Sequence, residues 1–321
     1  MPEPVRRPVV VLGDVNVDLT LHAPDRSIPR GSRTLREPEL AGGGTAGNTA
    51  AALARLGISV EFAGAVGDDA FGRWIAGDLD ALGIGRRGLV VLDRSTAQVI
   101  ALVEPDGERS LFVWPTDGGA LTWLRPDDLD TDLIAGAAWL HTTGMCLRDA
   151  PVRDAILAGM TAARAAGVPV SIDLNLRVEL WGLSDDKRAV VKAAVELADV
   201  VLGQGEEELV PLARAGSVQA ALEVLGGNRR TIVARLGADG ALARMPDGVL
   251  VRMPGFRVDS RNAVGAGDAF NGGFVAARVE GRSIEETLRW GNAVAALKVA
   301  RPGGARDLPS RAEVVALLAA R

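Results

Sequence analysis

The run from Asn262 to Phe274, with Gly265, Ala266, Gly267 and Asp268 at its centre, is the segment of this sequence best equipped for chemistry. Small residues at 265–267 leave their backbone N–H groups bare at the start of a predicted helix, where aligned peptide dipoles favour an anion of phosphate size. Asp268 follows at once. A carboxylate beside an anion site is electrostatically costly, and it suits a group that accepts a proton from an attacking hydroxyl, although capping of the helix would explain an Asp equally simply. A second constellation lies near the N-terminus, where Asn16 and Asp18 follow a strand two residues apart and so face the same way. Gly43 and Gly44 would let a ligand lie against the backbone, and the Asn48 amide can both donate to and accept from hydroxyls.

A third run, Asp173 to Trp181, follows a predicted strand and carries Arg177. Its guanidinium fork suits a phosphate or a carboxylate, or it pairs locally with Asp173 or Glu179. Gly42, Gly44 and Gly47 spell the dinucleotide fingerprint, with Glu61 downstream. That fingerprint belongs directly after the first strand, and here a long lid-like stretch intervenes after Leu12, so an oxidoreductase is a remote alternative.

Elements that could position these residues follow from periodicity. Short β-branched runs at Val9–Leu12, Ser59–Ala65, Ala137–His141, Val168–Ile172, Val200–Leu202 and Thr231–Ala234 alternate with helical spacing. Predicted helices cover Asn48–Leu56, the Phe71, Ile75, Leu79 and Leu82 series behind Asp68 and Asp69, and Pro151–Ala166, with later ones beginning near Ala266, Ser283 and Arg311. This is the pattern of an α/β fold with a doubly wound, mostly parallel sheet flanked by helices. Residues 19–40 and 87–114 break the rhythm with strand-like runs and turn signals such as Pro105-Asp106-Gly107, and they predict a small antiparallel β lid. Residues 1–18, 41–86 and 115–321 would then form the core.

Composition narrows the function classes. The 321 residues are 48% hydrophobic, enough for a substantial core. A net charge of −5 shows no footprint for nucleic acid or an anionic membrane. Lys187, Lys192 and Lys298 are the lysines, and none follows a glycine, which excludes a P-loop. One cysteine, Cys146, and no signal-like segment predict a cytoplasmic protein.

On these motifs the chain resembles the ribokinase-like, or phosphofructokinase-B (PfkB), carbohydrate kinases over nearly its whole length. The family's Asp-Thr-x-Gly-Ala-Gly-Asp signature is matched at Gly265, Ala266, Gly267 and Asp268, and its Gly-Gly-x-x-x-Asn signature at Gly43, Gly44 and Asn48. The resemblance implies an ATP-dependent sugar kinase with Asp268 as catalytic base, Gly265–Gly267 as anion hole, and Asn16, Asp18, Gly43, Gly44, Asn48 and Arg177 at the sugar. It implies a nucleotide site at Arg235, Gly237, Gly240, Asn292 and Gly303, and Mg2+ served through water by Glu208, or by Glu207 if Gln204 is aligned as the family's amide. Asn262 and Ala263 depart from the signature at positions the family associates with monovalent-cation and phosphate contacts, which puts potassium activation in doubt. The Asp173–Trp181 run is similar to members acting on ketoses or 2-keto-3-deoxygluconate, with ribose a further candidate. A homodimer through the lid is expected, and no nucleic-acid or membrane partner. A non-catalytic sensor of the same fold would bind sugar or nucleotide without turnover.

Overall fold

The computed structural model describes residues 7–22, 37–104, 109–178 and 182–320. Its centre is β1 (Val9–Leu12), four aliphatic residues all buried. Val9 and Val11 enter the core on one face of the sheet, Val10 and Leu12 the core on the other. A strand covered on both faces needs an unbroken apolar run, which explains why β1 lacks alternation. On one side β1 pairs in parallel with β4 (Val60–Gly67), which pairs with β5 (Gly85–Leu92). On the other lie β8 (Trp139–Thr143), β9 (Val170–Asp173), β10 (Val200–Gln204) and β11 (Thr231–Arg235), all parallel. The antiparallel strands β12 (Ala241–Arg244) and β13 (Leu250–Met253) finish the nine-stranded sheet. The chain therefore winds outward in both directions from β1, and the switch point between β1 and β8 is where an open α/β sheet leaves a crevice at its carboxyl ends.

The second sheet has the order β3-β2-β6-β7, from β2 (Asn16–His22), β3 (Glu39–Gly43), β6 (Gln98–Val103) and β7 (Arg109–Trp114). Its two outer pairs are antiparallel, as hairpin signals imply, while β2 and β6 run parallel because core elements separate them in sequence. Three boundaries shift from the sequence expectation. Residues 87–92 belong to β5 in the large sheet, and Asn16–Asp18 and Ala41–Gly43 belong to the lid sheet. The Pro105-Asp106-Gly107 turn and residues 179–181 lie outside the described residues.

Helix α1 begins at Thr45, three residues before Asn48, and runs to Arg55. Its cap comes from a distant residue. Gly44 offers no side chain, so Asp14, just past β1, accepts from Thr45 N at 2.8 Å, Ala46 N at 3.1 Å and Thr45 Oγ1 at 2.8 Å. A buried carboxylate on helix N–H groups is worth about 1–2 kcal/mol and fixes the turn that carries Gly43 and Asn48. Helix α2 (Ala70–Ala81) instead carries its own cap, with Asp69 accepting from Gly72 N at 2.7 Å, as the Asp68-Asp69 pair predicts. Among the described residues no helix is long and apolar enough to cross a membrane.

Candidate active site

Asp268 lies in the first turn of the helix Ala266–Val279 and is buried. That helix packs across α1, and the contact brings Asn48 Nδ2 to 2.9 Å from Asp268 Oδ2. Two signatures 220 residues apart thus meet in one hydrogen bond. Burial raises the Asp268 pKa to about 7, the negative charges of Asp173 and Asp14 add to the rise, and Asn48 and Arg235 oppose it. A carboxyl titrating near neutrality is matched to proton exchange with a substrate hydroxyl. The remaining Asn48 atom, Oδ1, is buried without a partner in the protein, a vacant acceptor beside the carboxylate.

The histidines do not compete for that role. His141 is buried against the Ser171 hydroxyl at 2.8 Å with its pKa pushed down to about 4 by burial, and His22 sits in the lid sheet beside Glu39.

Gly265 caps this helix at φ 78°, and a Cβ there would stand 2.8 Å from that of Ala305. Positive φ and the close strand of chain at 305 both demand glycine, and the result is an N-terminus whose 265–268 amides carry no side-chain cap. Gly44, at φ 87°, would meet the Asp14 carbonyl at 2.6 Å if it bore a Cβ. Both signature glycines are therefore set by backbone geometry next to the site.

On β2, Asn16 Nδ2 donates to Asp18 Oδ1 at 2.6 Å, confirming that the pair shares a face. Gly43 pairs with Asn16 across the sheet, and a Cβ on it would fall 2.5 Å from Asp18 Oδ1 and 2.7 Å from Asn16 Nδ2. Burial raises the Asp18 pKa, against the lowering by its Asn16 hydrogen bond and by Arg306. Asn16, Asp18, Gly43, Gly44 and Asn48 are thus gathered by β2, β3 and the start of α1, and Asn48 is the member that touches Asp268. Gly42, the first glycine of the dinucleotide-like run, sits in the lid sheet and not after β1, so that fingerprint has lost its required context.

Arg235, at the end of β11, turns inward. Its Nη2 donates to Asp173 Oδ1 at 2.7 Å and its Nη1 to Asn271 Oδ1 at 2.8 Å, while Asn271 Nδ2 completes the ring to Asp173 Oδ2 at 2.8 Å. The guanidinium also lies 3.5 Å from where a Gly267 Cβ would be, beside the first turn of the Ala266–Val279 helix. Glu208 accepts from Leu176 N and Gln204 N, both at 2.7 Å, and stands 3.5 Å from Arg235. Burial and Asp173 raise its pKa. Glu208 thereby ties the β9 exit to β10. Glu208 is buried and Glu207 exposed, which distinguishes the two acids the sequence left open.

Arg177 is exposed, with φ 46°, and Asn175 also has a positive φ of 34°. Two non-glycine residues in this sparsely populated region bend the chain sharply past β9, and such strain concentrates at functional loops. Gly237 and Gly240 have φ of 59° and 91° and make the β11–β12 reversal. Asn292 donates to the Met253 and Pro254 carbonyls, both at 3.1 Å, holding the helix Ile284–Val299 to the end of β13. Gly303 accepts from Asn262 Nδ2 at 3.0 Å and from Lys298 Nζ at 3.3 Å.

Two residues escaped the sequence reading. Asp14 carries no local signal, since it caps a helix 31 residues away. Arg306, in the C-terminal loop, pairs with Asp78 and packs its guanidinium where side chains at Gly42 and Gly47 would otherwise be. Its Nε and Nη2 are buried without partners.

Acid cluster and arginine bear on metal binding. Among the described residues no group of three or more His, Cys, Asp or Glu side chains could hold a metal ion. Glu208 is engaged by two amides, yet a carboxylate keeps spare lone pairs for a water. The donor set fits an ion that keeps its waters and takes its other ligands from phosphate, as magnesium does.

A model of the pfkB family carbohydrate kinases matches residues 6–311. An ATP-dependent ribose-1-phosphate kinase of Halopiger xanaduensis is 33% identical over 316 residues, covering 98% of both chains. Fructokinase-1 of Zea mays is 31% identical over 326 residues, again covering 98% of each. Among solved structures, Xylella fastidiosa fructokinase with bound ATP superposes with a TM-score of 0.85 at 27% identity, covering 98% of this chain and 99% of that one. With the fold, both signature turns and this match over nearly its full length, the chain belongs to the pfkB family of carbohydrate kinases, phosphotransferases with an alcohol as acceptor.

Proposed function

We propose that Asp268 is the general base of this sugar kinase and that its acceptor is a ketose or a sugar acid held between the lid strand β2 and the start of α1. The observation that carries this reading is the buried Asp268 carboxyl with its pKa near 7, oriented by Asn48. Asn16, Asp18, Asn48 and the bare backbone of Gly43 and Gly44 hold the sugar hydroxyls. Asp268 takes the proton of the attacking hydroxyl, and the amides of 265–268 receive charge from the transferring phosphoryl group. Arg177 approaches the same end of β9 and supplies a cation to phosphate or to a substrate carboxylate. Gly237, Gly240, Asn292 and Gly303 line the nucleotide side, with Arg235 behind the anion nest. Glu208 would hold a magnesium ion through a water, and the ion would supply further charge neutralisation. The lid sheet excludes water and so limits hydrolysis of ATP.

Arg306 favours an anionic acceptor, because it places two unpaired guanidinium nitrogens behind the Gly42–Gly47 turn and influences Asp18. Coupled assays of MgATP-dependent product formation across fructose, ribose, 2-keto-3-deoxygluconate and adenosine test the reading. The expected order puts a ketose or sugar acid highest in kcat/KM; adenosine at the top would overturn it, and binding without turnover on every acceptor would favour the sensor.

The lid also supports a homodimer. Leu111, Phe112, Val113 and Trp114 are four consecutive exposed large apolar residues on the edge strand β7. An edge this hydrophobic is a template for pairing. Sedimentation equilibrium is expected to give a dimer that Val113→Lys converts to a monomer; a monomeric wild type removes the proposal.

A further inference from the structure

Lys298 is a buried lysine whose placement the reaction scheme leaves unexplained. It lies near the end of the helix Ile284–Val299 and is fully buried. No carboxylate hydrogen-bonds it among the described contacts. Its Nζ donates instead to two backbone carbonyls, Asn262 O and Gly303 O, each at 3.3 Å. Those carbonyls belong to the two loops that frame the anion nest. Asn262 itself staples the loops together, donating through Nδ2 to Gly303 O at 3.0 Å and Pro302 O at 3.3 Å, and accepting from Val264 N at 3.0 Å. One step further along, Gly265 rests against Ala305. Whatever fixes Asn262 against Gly303 therefore fixes the direction of the 265–268 amides.

Carbonyl oxygens converging from two loops are the ligand set of a dehydrated monovalent cation. An ammonium on a tether meets the same oxygens with a charge that cannot diffuse away. Residue choice points the same way: this chain has 36 lysines and arginines together and only three are lysine. A compact ammonium fits between two carbonyls where a planar guanidinium would not. Burial lowers the Lys298 pKa, against the raising by Asp307, which accepts from Gly303 N at 3.2 Å, and Arg301 adds to the lowering.

We propose that the Lys298 ammonium is a built-in replacement for a monovalent cation, holding the 262–268 loop in its phosphate-accepting geometry so that the protein needs no potassium. Lys298 is a positioning residue, acting through the backbone of Asn262 and Gly303. The inference rests on the kinase reading for its catalytic consequence, but its ion-binding consequence stands apart from turnover.

The test compares potassium, ammonium and tetramethylammonium chlorides at equal ionic strength, on wild type and Lys298→Met. Wild-type melting temperature and turnover should be the same in all three salts. Lys298→Met should melt lower in tetramethylammonium, regain stability specifically in potassium or ammonium, and lose roughly tenfold to a hundredfold of turnover that the same ions restore. A potassium-specific rise in melting temperature or turnover for the wild type overturns the proposal, as does a folded Lys298→Met indifferent to the ion. If Lys298→Met does not fold, the wild-type salt comparison decides. Loss of turnover on all sugars in wild type would defeat the kinase assignment and leave the melting comparison to judge the lysine.

Discussion

Replacing Asp268 by asparagine is expected to cut turnover about a hundredfold or more while leaving MgADP affinity within a few-fold. The substitution keeps the size of the side chain and a polar partner for Asn48, so the loss reads the proton acceptor and little else. Wild-type kcat/KM should fall as pH drops through about 7, where the carboxylate becomes protonated. The residual rate of Asp268→Asn should lack that limb. Stability should move in the opposite sense. A carboxyl with its folded pKa raised from 3.8 to about 7 contributes stability that is fully present at acid pH, below its unfolded value, and is lost as pH rises through about 7. Asparagine cannot ionise, so the variant should melt above wild type at pH 8 and lose that advantage toward pH 4. Near-normal turnover in the variant, or no acid limb in the wild type, would remove Asp268 from the chemistry.

Arg235→Met should cost about 3–5 kcal/mol of unfolding free energy in urea titrations at pH 8. Arg235 is the buried cation facing Asp173 at 2.7 Å and Glu208 at 3.5 Å, and its removal leaves two carboxylates in a desolvated place. The deficit should shrink as pH falls, because those acids can then take up protons. Arg235→Lys should fall between the two, keeping the charge and losing the fork that bridges Asp173 and Asn271. A deficit under about 1 kcal/mol for the methionine variant would show that the cluster is solvated and not the buried unit described here.

The fold was legible because each part of it is signalled locally. The unbroken aliphatic run of β1, the Asp69 cap of α2 and the capping box Ser283–Glu286 that opens the Ile284–Val299 helix are all readable from a few adjacent residues. Where such signals are missing, boundaries slipped. Thr45 starts α1 only because Asp14 arrives from the end of another strand. Residues 87–92 resemble lid strand in sequence and pair with β4 in space, since strand-like composition does not say which sheet receives it.

The site divides along the same line. Sequence by itself picked out the Gly265–Gly267 turn, the carboxylate that follows it, and the Asn16, Asp18, Gly43 and Asn48 set, because small residues at a helix start and closely spaced polar groups are local features of the chain. Tertiary structure decided that Asn48 reaches Asp268, that Arg235 is a buried counter-ion between Asp173 and Glu208, and that Lys298 and Arg306 stand beside loops remote from them in sequence. Charge neutralisation and desolvation depend on which groups share a low-dielectric space, and that neighbourhood exists only once helices and sheets have packed.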